Sequence, residues 1–191
     1  MHPKMFIKCL SWLREPVLTT DMDDYMKVVV ERTTPTQRES LLSLAGLPEP
    51  LQLLFEDYDL SPIHMLWTSF WSEPKKLAEG WGFADMSEVN IIMAPEGQIE
   101  AYNAHPIRAI HGASHFLGCL AKDLESYLEA LLYGAFNAHH FISGDPEGGD
   151  PVLREKTILV AKNCALMAGG YEYYDFWAET LGLAPSEYVP E

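Results

Sequence analysis

His105, His111 and His115 fall within one eleven-residue stretch. Histidine is the side chain best suited to bind a metal or move a proton near neutral pH. On a helix, His111 and His115 at i and i+4 would share one face and one metal ion, the core of a small metal-dependent hydrolase. Gly112-Ala113-Ser114 between them disfavours a helix, and the glutamate of an HExxH motif is absent. The other reading is loop and strand histidines at a surface. Gly112-Ala113-Ser114-His115-Phe116 only echoes Gly-x-Ser-x-Gly, and neighbours on a strand point to opposite faces, so adjacency makes no dyad of Ser114 and His115. Asp145, Glu147 and Asp150 would cup calcium only with the spacing and distal Glu of an EF-hand, which this stretch lacks. Cys9, Cys119 and Cys164 are far apart with no CxxC, and they read as reduced thiols. Neither GxGxxG nor GxxxxGK[ST] occurs. No catalytic residue, cofactor or metal is expected.

What the chain has in place of a reaction motif is charge. Thirteen Lys and Arg stand against 28 Asp and Glu, a net −15 over 191 residues. Such a field speeds encounter with cationic partners and repels nucleic acid and anionic lipid. A hydrophobic fraction of 48% and an aromatic fraction of 12% suffice for a packed core. Lys8 and Arg14 interrupt the apolar residues near the start, so no signal-peptide core forms, and no stretch has the roughly 18 apolar residues of a membrane span. A cytoplasmic location is expected.

The elements that must position any site follow from periodicity and turn chemistry. Residues 3–14 suit a short helix. Asp21 to Arg32 holds Tyr25, Val28 and Val29 at helical spacing, although Val28-Val29-Val30 is also a β-branched run; a helix is expected. Thr34-Pro35-Thr36-Gln37 is a capping box with Pro at the first helical position, and Gly46 stands ready to end that helix. A second short helix starts at Leu47-Pro48-Glu49-Pro50 and stops near Asp59. Met65, Trp67, Phe70 and Trp71 are strand-prone, and Lys75 to Glu79 suits a helical turn. Val89 to Met93 and Gln98 to Tyr102 flank Ala94-Pro95-Glu96-Gly97, a hairpin with type I turn residues. His105 to His111 would add a strand.

Leu120, Leu124, Tyr127, Leu128, Leu131 and Leu132 predict a core-packing helix over 120–136. The polar stretch 143–151 marks a boundary, splitting the chain into 1–142 and a helical extension 143–191, with a single domain as the alternative. In the extension, Leu153, Thr157, Val160, Ala161, Cys164 and Met167 share a helical face ended by Gly169-Gly170. A last aromatic helix follows. Its Tyr174, Trp177 and Leu181 are spaced for burial; as a partner surface the run would offer anchors among Glu172, Asp175 and Glu179.

Residues 35 to 134 resemble the SUKH superfamily, which includes fungal cell-wall-synthesis regulators and bacterial toxin-immunity proteins. The likeness rests on the Ser40–Tyr58 stretch with its Leu47-Pro48 step between two helices, on the strand pair around Glu96-Gly97, and on Ala113-Ser114-His115-Phe116-Leu117 leading into the Leu120–Leu128 helix. The Asn-Gly-Gly usual in that family is replaced by Tyr58-Asp59-Leu60-Ser61, and residues 143–191 lie outside the pattern. The resemblance implies an α+β fold, with an antiparallel or mixed central sheet flanked by helices, and a non-enzymatic role in binding a toxin domain or another protein.

Charge and resemblance together point to an acidic, non-enzymatic binding protein of immunity or regulatory type with a basic protein partner. Contact is expected at Asp57, Asp59, Asp145, Glu147 and Asp150, with Trp71, Trp81 or Tyr173 as anchors. The rivals are the hydrolase built on His105, His111 and His115, and an oligomeric structural module. Neither nucleic acid nor membrane is expected as a partner, and the oligomeric state is left open.

Overall fold

The computed structural model describes residues 1–10, 26–104, 115–142 and 151–183. In it Thr34 caps helix α2 (Pro35–Ser43) as a complete capping box. The Thr34 hydroxyl accepts from the Gln37 N–H at 3.2 Å, and the Gln37 side-chain oxygen accepts from the Thr34 N–H at 2.8 Å. Before it come helix α1 (Pro3–Leu10) and strands β1 (Met26–Lys27) and β2 (Glu31–Arg32). The helix expected over Asp21–Arg32 is therefore absent from its described part. The valine run favours extended backbone. Glu31 and Arg32 find partners in Asp59 and Tyr58 of β3 (Tyr58–Asp59), with the Arg32 guanidinium 5.2 Å from the Tyr58 ring centre. Helix α3 (Glu49–Phe55) lies between α2 and β3.

Strands β4 (His64–Met65), β5 (Thr68–Lys76), β6 (Trp81–Met86), β7 (Val89–Met93), β8 (Ile99–Asn103) and β9 (Phe116–Ala121) follow in order. With β1 they form a seven-stranded sheet in the order β1-β4-β5-β6-β7-β8-β9, antiparallel throughout. Lys75 and Lys76 are strand residues opposite Gly82 and Trp81, and not a helical turn. Pro74 falls where the β5–β6 register shifts, a place where a missing N–H is tolerated. The β7–β8 hairpin closes as its turn residues predict, with the Gly97 N–H donating to the Ala94 carbonyl at 2.9 Å.

The long helix begins later than its leucine pattern predicts. Leu120 and Ala121 end β9, and helix α4 runs over Leu124–Ile142. The Asp123 carboxylate accepts from the Ser126 N–H at 2.7 Å and fixes the start. Helix α5 (Pro151–Ala168) runs back along α4, placing Cys164 against the Ala130 carbonyl and Asn163 against the Tyr133 hydroxyl. Gly134 allows this approach, since a Cβ there would lie 2.7 Å from Leu66 Cδ1 and 3.2 Å from Cys164 Sγ. A 3₁₀ turn (Tyr171–Tyr173) leads into helix α6 (Tyr174–Thr180).

The architecture is α+β, an antiparallel sheet with helices packed on it. Buried aromatic rings run through the core as a chain. Phe6 of α1 meets Phe70, Phe70 meets Phe83, Phe83 meets Tyr127 edge-on at 6.0 Å, and Tyr127 meets Trp177 at 5.9 Å. Each such pair contributes about 0.5–1.5 kcal/mol beyond its area burial. Residues of α5 and α6 belong to the same hydrophobic cluster as the sheet and α4. Among the described residues no helix is long and apolar enough to cross a membrane.

Candidate functional site

Three hairpin-loop residues hold positive φ without being glycine: Leu66 (47°), Trp67 (65°) and Ser87 (57°). Leu66 and Trp67 form the two-residue loop between β4 and β5, where Met65 pairs with Thr68. Both loop positions of such a hairpin need positive φ, which normally selects Asn-Gly. Ser87 opens the loop between β6 and β7, after Met86, which pairs with Val89. A Cβ in the left-handed region costs about 1–2 kcal/mol per residue. Strain of this kind persists where surrounding structure enforces it, and it concentrates at functional sites.

Trp67 and Ser87 line the same cleft, of about 570 Å³. Its floor is apolar, with Met86, Val89, Ala101 and Phe176. One wall is four successive residues of β9, Leu117 to Leu120. The facing wall comes from the 3₁₀ turn and α6. There Glu172 of the turn joins Asp175 and Glu179 of the helix, the last two at i and i+4 and so on one helical face. Among the described residues no Lys, Arg or His lines the cleft. Trp67 is 42% exposed and Leu117 53% exposed, so two large apolar side chains remain open to solvent at its mouth. Leu66 sits behind Trp67, buried against Gly134, and anchors the strained loop to α4.

The expected partner residues lie elsewhere. Asp57 is 3.9 Å from the Lys4 ammonium. Asp59 accepts from Gln37 Nε2 at 2.8 Å and from the Ser61 N–H at 2.9 Å. Burial opposes its charge, but these bonds outweigh that and hold its carboxyl below the ordinary value. Trp71 donates to the Asp85 carboxylate at 2.7 Å, and Lys75 stands 5.3 Å from its ring centre. Trp81 and Tyr173 are buried at 5% and 6% exposure, with Lys76 over the Trp81 ring. Asp145, Glu147 and Asp150 lie outside the described residues. None of the described ones lines the cleft.

Of the histidine cluster, His105 and His111 also lie outside the described residues. His115 Nε2 is 3.3 Å from Glu79 Oε1, and its ring is 5.5 Å from that of Tyr102. Tyr102 donates to Glu100 at 2.6 Å. Burial, then the Glu100 carboxylate, pushes the Tyr102 phenol well above its ordinary range. The same two causes raise the Cys119 thiol, keeping it in the un-ionised form that is a poor nucleophile. A Ser–His contact that sequence reasoning missed joins His64 Nδ1 to Ser69 Oγ at 2.7 Å. The two face each other in the β4–β5 register, a pairing that sequence spacing alone does not disclose. No described carboxylate orients that imidazole, and neither residue lines the cleft.

No protein-family model, curated protein or solved structure matches the chain.

Proposed function

We propose that this protein is a non-enzymatic binder of a basic protein partner, of the immunity or regulatory kind that the SUKH resemblance implies, and that the cleft beside α6 is where it grips. The observation that carries this reading is the cleft's composition. The carboxylates of Glu172, Asp175 and Glu179 line it together with apolar residues and an exposed tryptophan, and among the described residues no Lys, Arg or His lines it. A lysine or arginine entering there would place its charge among the carboxylates and its alkyl stem along the floor. The net charge of −15 draws such a partner in, and Trp67 supplies the large anchor that binding surfaces favour.

The test is an NMR titration with acetyl-(Lys-Val)3-amide and with the Glu-Val peptide of the same length. The basic peptide should perturb residues 117–120 and 172–180, and raising the salt should weaken it. The variant E172Q/D175N/E179Q should lose at least tenfold in affinity and unfold as the parent does. Binding that ignores ionic strength, or that the acidic peptide matches, refutes the reading.

A further inference from the structure

The cleft lies over one face of the sheet, since its floor residues Met86, Val89 and Ala101 belong to β6, β7 and β8. Two aromatic rings, Trp67 and Phe176, line it together with the acids of the turn and α6. Asp175 and Glu179 stand one helical turn apart, a spacing that sets Cβ atoms about 5–6 Å from each other. Glu172 is placed differently. Its carboxylate folds back over Gly170 and occupies the space that a Cβ on that glycine would need. That leaves the two helix carboxylates as the pair best placed to share one cation. Like charges at this spacing repel, so a cation that touches both also relieves the helix.

The two basic side chains differ in what they ask of such a place. A lysine ammonium is compact and strongly hydrated, and an apolar floor strips its water at a cost. An arginine guanidinium is flat and more weakly hydrated. It lies on an aromatic ring with its N–H groups pointing outwards in its own plane, where two carboxylates accept from different edges. Indole is the best aromatic partner for a cation, and Trp67 is 42% exposed. The left-handed loop holds that indole at the cleft, because Leu66 beside it is buried against Gly134. A platform fixed in advance lowers the ordering cost of binding.

We propose that the cleft selects arginine over lysine, and that the partner's anchor is one arginine whose guanidinium stacks on Trp67 and bonds to Asp175 and Glu179. This deepens the functional reading above and rests on it. The net charge of −15 draws in any basic segment, and the cleft then discriminates between the two kinds.

The experiment is an NMR titration of the parent and of W67L with acetyl-(Arg-Val)3-amide and acetyl-(Lys-Val)3-amide at one ionic strength. The peptides carry equal charge, so steering cancels between them. The arginine peptide should bind the parent about fivefold more tightly or better, the size of one cation–π contact. Its δ-methylene protons should show NOEs to the Trp67 indole and shift upfield under the ring. W67L keeps an apolar side chain without the aromatic face, so it should bind the two peptides alike. The NOEs and the preference shown by the parent do not depend on how that variant folds. Equal affinity for the parent, a preference that survives in W67L, or an arginine that makes no contact with the indole overturns the arginine anchor and leaves the basic-partner reading standing. Failure of both peptides to bind at low salt removes that reading and the inference with it.

Discussion

Replacing Trp67 separates backbone strain from binding. A glycine at an ordinary position is less stable than an alanine by roughly 0.5–1 kcal/mol, because it loses more freedom on folding. At Trp67 the order should invert. With φ at 65°, alanine keeps the left-handed Cβ clash of about 1–2 kcal/mol, and glycine is free of it. Both variants remove the indole, so its packing cancels between them. At the middle of each range the difference leaves W67G more stable than W67A by about 0.75 kcal/mol. In a domain of this size that is a Tm higher by about 1–4 °C. Paired urea and thermal unfolding curves measure it. W67A equal to or more stable than W67G would show that the loop is not strained, and would remove the ground for treating it as held open for a partner. Both variants should weaken acetyl-(Lys-Val)3-amide, so a more stable W67G that binds less well is the expected signature of a site retained at a cost to stability.

Two further perturbations test the surroundings. The depressed Asp59 carboxyl stabilises the fold at pH above its unfolded value near 3.8, and that contribution is lost as pH falls through the lower folded value. D59N should therefore be less stable than the parent at neutral pH, and the gap should close as acid is added. A gap in urea unfolding that is independent of pH would refute it. G134A forces a Cβ to within 2.7 Å of Leu66 Cδ1, so overpacking of about 1–3 kcal/mol should outweigh the gain of about 1 kcal/mol in helix propensity. In an L66A background the same change should cost clearly less, and a double-mutant cycle in urea reads the coupling.

Local chemistry was legible in the sequence where it is self-contained. Thr34 and Gln37 lie three residues apart and complete their own hydrogen bonds, so the cap needs nothing distant. The β7–β8 hairpin is similar, because its turn residues sit between its strands. A pattern misleads where it crosses a boundary. Leu120 shares the spacing of the α4 leucines but belongs to β9, and Asp123, three residues before the serine whose N–H it binds, was the unread stop signal. Lys75 and Lys76 look like a helical turn until Gly82 and Trp81 arrive opposite them. The aromatic run near the C-terminus answers to its burial reading, since Tyr173, Tyr174 and Trp177 are buried, while the acids among them, Glu172, Asp175 and Glu179, line the cleft. Trp67 as a cleft residue was beyond sequence reasoning, since nothing in a Leu-Trp pair announces positive φ. Only the β4–β5 register imposes it.

The seating of Trp177 on Tyr127 bears on how the chain folds as it is made. Helix α4 and the sheet emerge from the ribosome before the segment that completes their core, so the Phe83–Tyr127 contact first forms with one side uncovered. Until residues 160–183 leave the exit tunnel, the nascent protein exposes the surface that Val160, Ala161, Cys164 and Trp177 later close. A translating ribosome stalled after Ile142 should hold a chaperone-binding intermediate, and one stalled well beyond Leu183 should release a closed fold.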